Sequence, residues 1–223
     1  LLKEGAKKNE IHLFNRNMKT KYLKRNIYEE EDGEELKVYV FKNLDDNLNF
    51  YGLGEKTGSL NKREYHYINW NTDDADPHTE NYKELYKSIP FFVAFNGKEA
   101  FGIFFDNHFK SHFDMGKESS EYYFFGAVDG NLDYYFMYGP TIKNVITEYT
   151  DLTGKTPLPQ LWTLGYQQSR WSYEPEAKVM EIAKKFREKD IPCDVIYLDI
   201  DYMDGFRDFT WDTKKFKNPE EFI

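Results

Sequence analysis

The stretch Asp194-Val195-Ile196-Tyr197-Leu198-Asp199-Ile200-Asp201-Tyr202-Met203 decides how this chain is read. Apolar residues run without interruption into two carboxylates. A barrel interior is packed with side chains and only its rim meets a ligand, so a strand of this kind presents its polar groups at the C-terminal end. Strand alternation places Asp199 and Asp201 on one face and Ile200 on the other. A plainer reading has one or both carboxylates closing the turn after the strand, because Asp side chains bond nearby backbone there.

Upstream, Pro175 to Lys189 reads as a helix, with Val179, Ile182, Ala183 and Phe186 on one side and Pro175 in the first turn. Ile191-Pro192 ends it. Trp162 to Tyr166 reads as a strand, and Asp194 to Ile200 as a second. Strand, helix, strand predicts a βαβ unit with a right-handed crossover and with Trp162 and Val195 in neighbouring parallel strands. The first strand leads into Gly165-Tyr166-Gln167-Gln168-Ser169-Arg170-Trp171. These residues either line the same rim or form a solvated loop with Trp171 packed as core.

Lys155-Thr156-Pro157-Leu158-Pro159 has two prolines in three positions and does not continue a helix. It marks a domain boundary, between residues 1–156 and residues 157–223. A complete (β/α)8 barrel takes about 250 residues, and only 64 follow Pro159. One βαβ unit needs cover on both faces, which must come from elsewhere. Both ends, Leu1 and Ile223 just after a helix start at Asn218-Pro219-Glu220, read as cut from a longer protein.

From about Glu35 to Tyr138 the chain reads as strands, in short β-branched and aromatic runs separated by Gly, Asn and Asp. Asn96-Gly97 predicts a tight hairpin between Phe91 to Phe95 and Phe101 to Phe105, because both residues accept positive φ angles. Asp129-Gly130 predicts another, between Tyr122 to Val128 and Leu132 to Tyr138. Nearly continuous apolar runs point to strands covered on both faces, as in a large sandwich. The period then changes. Ile142, Val145, Ile146, Tyr149 and Leu152 fall at helical spacing, with Thr141 as N-cap and Gly154 as stop.

Lys plus Arg at 30 against Asp plus Glu at 39 leaves a net charge of −9, which opposes capture of nucleic acid or an anionic membrane and favours a neutral ligand. No apolar run approaches the length of a membrane helix, so a soluble protein is expected, with a cytoplasmic location favoured. Cys193 is the only cysteine, which rules out an internal disulfide and fits a small core residue. Of the 41 aromatic rings most belong to strand patterns and therefore to the core.

Three further segments carry polar groups. Asn71-Thr72-Asp73-Asp74-Ala75-Asp76-Pro77-His78 lacks the spacing of an EF-hand loop; it is either solvated or reaches a carboxylate into a neighbouring pocket. His108 and His112 have helical zinc spacing but sit in strand and turn chemistry, where that spacing does not converge. Gly52, Gly54 and Gly58 faintly resemble a phosphate loop without its Gly-Lys-Ser/Thr, and a structural turn is the better reading.

Taken together, these segments resemble the glycoside hydrolase family 31 α-glucosidases from about Leu36 to Ile223. Phe50-Tyr51-Gly52-Leu53-Gly54-Glu55 is similar to that family's N-terminal signature, Pro159 to Trp171 to its first barrel strand, and Asp199-Ile200-Asp201-Tyr202-Met203 to its second. The resemblance implies a multi-domain α+β chain: a galactose-mutarotase-like β-sandwich followed by the first βαβ unit of a (β/α)8 barrel. It implies a retaining α-glucosidase acting on terminal non-reducing α-linked glucose, without metal or organic cofactor. It further implies that Asp73, with Asp74 as the fallback, reaches over the barrel mouth to the sugar, that Asp199 contacts the sugar's hydroxyls, and that Ile200 lines the pocket. Arg170 and Trp171 come over as pocket support. Ile200 followed by Asp-Tyr-Met is closer to glucosidase than to xylosidase members.

The family's nucleophile lies in a Trp-x-Asp-Met-Asn-Glu type motif on a later strand, and no such motif occurs here. Retention needs two carboxyl groups about 5 Å apart, and the resemblance assigns Asp199 to binding, so no residue of this chain is named as catalytic and the 223 residues alone are expected to be inactive. A non-catalytic carbohydrate-binding sandwich accounts for the strands but not for the βαβ unit. A metal-dependent or phosphate-binding barrel accounts for the second-strand carboxylates.

Overall fold

The computed structural model describes residues 36–223 apart from Ala75, together with the backbone of two earlier strands. The chain divides into two compact units, Leu1–Lys155 and Thr156–Ile223.

The first unit is a sandwich. Its strands are β1 (Glu10–Phe14), β2 (Thr20–Lys24), β3 (Val38–Asn43), β4 (Asn49–Gly54), β5 (His66–Asn69), β6 (Ser88–Phe95), β7 (Ala100–Phe105), β8 (Ser111–Asp114), β9 (Tyr122–Ala127) and β10 (Tyr134–Tyr138). One sheet has the order β2-β1-β3-β9-β8-β5 and the other β10-β7-β6-β4. The sequence reading began its strands at about Glu35, so β1 and β2 are additions to it.

Alternation sorts the apolar residues between two environments. Phe92 and Ala94 of β6, Ile103 and Phe105 of β7 and Tyr123 and Phe125 of β9 meet in the inter-sheet core. Phe91 and Val93 face the other way, onto the helix α1 (Ile142–Thr153), where they pack with Val145. Phe41 and Phe124 likewise form a cluster with Leu36, apart from the central core. Burial on both faces is why these strands read as unbroken apolar runs.

The Asn96-Gly97 hairpin forms as expected, with Gly97 at φ +87° and the Asn96 side chain accepting from the Lys98 and Glu99 amides at 3.0 and 2.9 Å. Helix α1 starts and stops as its sequence predicts: the Thr141 hydroxyl accepts from the Asn144 amide, and Gly154 closes the last turn. The second expected hairpin does not form. β9 pairs with β3 and β8, whereas β10 pairs with β7 in the opposite sheet. The Asn107 side-chain amide donates to the carbonyls of Asp129 and Asn131 at 2.9 and 3.1 Å. That grip from the β7–β8 connection turns an Asp-Gly loop into a crossing between sheets. Gly52 and Gly54 lie inside β4, at a register shift against β6, so their positive φ angles serve a β-bulge rather than a turn or a phosphate loop.

The second unit holds β11 (Gln167–Gln168), helix α2 (Glu176–Glu188), β12 (Val195–Ile196) and a terminal turn of helix, α3 (Pro219–Phe222). β11 and β12 are parallel, with Gln167 opposite Val195 and Gln168 opposite Ile196. The βαβ unit is therefore present, but its first strand is displaced from the expected Trp162 to Tyr166. Leu161–Leu164 forms a 3-10 turn, held by the Trp162 indole and the Thr163 hydroxyl, which donate to the Gln160 side chain and carbonyl. The ladder starts only after Gly165, where a Cβ would fall 1.8 Å from an Asp194 carboxylate oxygen. The second strand is also shorter than Asp194 to Ile200. Tyr173, Val179 and Phe216 make a small core, with Ile182, Ile196 and Trp211 packed on it. Cys193 is buried beside it, its thiol directed at the Val195 carbonyl. Among the described residues no helix is long and apolar enough to cross a membrane.

Candidate functional site

Both parallel strands of the second unit end in exposed loops. β11 runs into Ser169 to Ser172, and β12 into Leu198 to Asp201. One contact ties the loops together: the Ser172 hydroxyl donates to the Asp201 carboxylate. Lys215 secures the same turn, donating to the Asp201 carbonyl at 3.2 Å and pairing with Glu174. The Glu174 carboxylate raises the Lys215 pKa, so the cation persists to high pH. Behind the turn, the rings of Tyr202, Trp211 and Phe216 meet in sequence at tilted angles.

This arrangement separates the two carboxylates that alternation placed on one face. The strand ends at Ile196, and Asp199 takes φ +64°, a left-handed conformation that breaks the pleat. Asp201 is engaged by Ser172, while Asp199 and its neighbour Ile200 are exposed. Arg170 is exposed too, and Trp171 is 80% exposed rather than packed in the core. Four of the sequence-derived residues, Arg170, Trp171, Asp199 and Ile200, thus lie on two tethered loops at the C-terminal end of one parallel pair.

The fifth, Asp73, belongs to the first unit, in the loop that follows β5. Here the two candidate carboxylates differ. Asp74 is half-buried and builds the loop: its Oδ1 accepts from the Asp76 amide at 3.1 Å, and its backbone is clasped by the Tyr86 hydroxyl, which donates to its carbonyl at 2.6 Å and accepts from its amide at 3.1 Å. Asp73 is exposed, with the Tyr86 phenol beside it. The Asp73 carboxylate beside it, with partial burial, raises the Tyr86 pKa.

Among the described residues no group of three His, Cys, Asp or Glu converges as a metal site. The side chain of His108 is almost fully exposed and that of His112 fully buried, so they do not share a ligand. His112 instead meets His66, Nδ1 to Nε2 at 3.3 Å, and His66 meets Asp114 at 3.3 Å. Sequence reading missed this buried relay, because its members are 46 and 48 residues apart and converge only through the β5–β8 register.

Residues 4–114 match the glycosyl hydrolase 31 N-terminal galactose mutarotase-like domain, and residues 156–223 match the glycosyl hydrolases family 31 TIM-barrel domain. The chain belongs to glycoside hydrolase family 31. Its sandwich is that family's mutarotase-like N-terminal domain and its βαβ unit the start of the family 31 barrel. Alpha-glucosidase 2 of Bacillus thermoamyloliquefaciens is 52% identical over 186 residues, which make up 83% of this chain and 24% of that protein. An alpha-glucosidase of Saccharolobus solfataricus is 36% identical over 187 residues, 84% of this chain and 27% of its own. Among solved structures, a Flavobacterium johnsoniae GH31 dextranase complexed with isomaltotriose superposes with a TM-score of 0.77 at 39% identity, over 94% of this chain and 25% of that one. This family 31 chain spans about a quarter of the length of the curated relatives it matches.

Proposed function

We propose that the whole protein is a retaining α-glucosidase that removes terminal non-reducing α-linked glucose, and that this chain supplies the sugar-binding rim of its active site. The observation that supports the reading is the Ser172–Asp201 tether, which joins the loop containing Arg170 and Trp171 to the loop containing Asp199 and Ile200 after the parallel strands, the end at which barrel enzymes bind their ligands. Asp199 accepts hydrogen bonds from the hydroxyls of the sugar whose bond is cleaved, and the family resemblance assigns a sugar-binding role to Asp73 of the first unit as well. Ile200 and Trp171 offer apolar surface to its C–H faces, and Arg170 holds the rim in place. Asp73 is preferred over Asp74 because Asp74 is already spent on its own loop. Residues 1–156 act as the sandwich domain and 157–223 as the opening of the barrel, in a soluble, cytoplasmic enzyme that takes a small carbohydrate and needs neither metal nor organic cofactor.

In the complete enzyme, Asp73→Ala and Asp199→Ala each lower kcat/KM for an aryl α-glucoside by roughly tenfold or more, the worth of a buried polar contact of about 1–3 kcal/mol, with unchanged circular dichroism. If both variants stay within a factor of two of the parent, the rim assignment is wrong. The 223 residues alone show no turnover of that substrate; turnover abolished by Asp199→Asn refutes the division of labour.

A further inference from the structure

We propose that the mouth of the sandwich, where β5, β6, β7 and β8 end, is a second carbohydrate-binding site that accepts one pyranose ring of a neutral sugar. The cleft there has a volume of about 460 Å³, within the range of small-ligand pockets. Alternation decides which side chains enter it. Tyr67 lies in the inter-sheet core, so Asn69 two residues later points into the same space. Ser111 stands opposite Asn69 in the β5–β8 register. From the other sheet, Phe92 is core, so Pro90 and Ser88 turn inward as well. Trp70 and Phe109, each about half exposed, flank the opening.

The cleft holds polar groups whose bonding is unfinished. Asn69 is 6% exposed, yet neither its Oδ1 nor its Nδ2 has a hydrogen-bond partner, and the same is true of Ser88 Oγ. Buried amides without partners are costly and therefore rare. The neighbouring amides show the contrast: Asn71 Oδ1 accepts from the Ser88 amide at 3.0 Å, and Asn107 is bonded at both ends.

A buried donor and acceptor on one side, a hydroxyl on the other and ring faces at the rim match an uncharged polyhydroxylated ring. Vicinal hydroxyls exchange hydrogen bonds with Asn69 and Ser88, while the sugar's C–H face lies on Trp70 or Phe109. Asp106 on the rim and the chain's net charge of −9 oppose a phosphorylated or nucleotide ligand. The lining of this cleft includes neither Asp73 nor Asp199, so the proposal does not rest on the roles given to those two residues.

The test is a titration of the ¹⁵N-labelled chain carrying Asp73→Ala and Asp199→Ala with maltose, and separately with glucose. The Asn69 side-chain amide and the Trp70 indole resonances are expected to move saturably. Trp70→Ala, at an exposed position that leaves the fold alone, weakens the response roughly fivefold, the worth of one aromatic contact; Asn69→Leu abolishes it. Resonances that do not move, or an affinity left unchanged by Trp70→Ala, overturn the proposal. So do shifts seen with the parent chain but lost in the Asp73→Ala/Asp199→Ala background, which return the sugar to the barrel rim.

Discussion

Lys56 shows what the fold imposes on a single residue. Its ammonium donates to the Ile68 carbonyl at 2.9 Å, yet burial pushes its pKa down to about 8, with Glu84 and Glu55 pulling it partly back and Lys62 adding to the fall. The folded state therefore favours the neutral amine relative to the unfolded chain. Between about 8 and the ordinary lysine value of 10.5 the unfolded chain holds the extra proton, so stability rises with pH across that window and the gain is lost as pH falls through about 8. Subtracting the stability of Lys56→Met from that of the parent isolates this contribution, and the difference is expected to climb between pH 8 and pH 10. A flat difference refutes it. Nothing in Gly54-Glu55-Lys56-Thr57 announces this, because the burying surface comes from distant segments. Asp199 is a similar case. Its residue type and position after an apolar run were legible, but its left-handed φ, which parts it from Asp201, was not.

At the scale of elements, α1 and β7 show how a helix is seated on a sheet. A Cβ built on Gly102 would lie 2.5 Å from Val145 Cγ1 and 2.9 Å from Phe91 Cε2. The helix approaches where β7 has no side chain, and Phe91 stacks flat on Tyr149 at 3.8 Å between centroids. Gly102→Ala is expected to cost about 1–3 kcal/mol through overpacking, read as a lower denaturation midpoint. Adding Val145→Ala opens space for the new methyl, so the double variant loses less than the sum of the single losses. Strict additivity, measured by a double-mutant cycle, rules out this contact as the cause. Helix α1 was legible because period, cap and stop all lie within one short segment. The pairing partner of β10 was not, since Asp129-Gly130 has the same turn chemistry whether the chain doubles back or crosses to the other sheet.

On the scale of the whole molecule, the two units differ in how they bury apolar surface. The sandwich closes its core with residues such as Phe50, Phe92 and Phe125 at 0% exposure. The second unit leaves Leu158, Leu161 and Leu164 at 96%, 85% and 71% exposure around a two-stranded sheet. Its secondary structure therefore opens at lower free energy. Hydrogen exchange is expected to be faster at the amides of α2 than at those of β6 and β7, and calorimetry to show a first transition assigned to residues 156–223. Equal protection in α2 and β6 refutes this. What the sequence by itself determined is the order of modules and the kind of each: a two-faced strand run, a capped helix, a proline-marked boundary and a βαβ unit, all encoded in spacings a few residues long. The tertiary structure alone decided which sheet β10 joins, that the first parallel strand begins after Gly165, that Ser172 captures Asp201 while Asp199 stays exposed, and that Asn69 faces an open mouth. Each of these depends on atoms brought together across tens of residues, and local periodicity carries no information about such encounters.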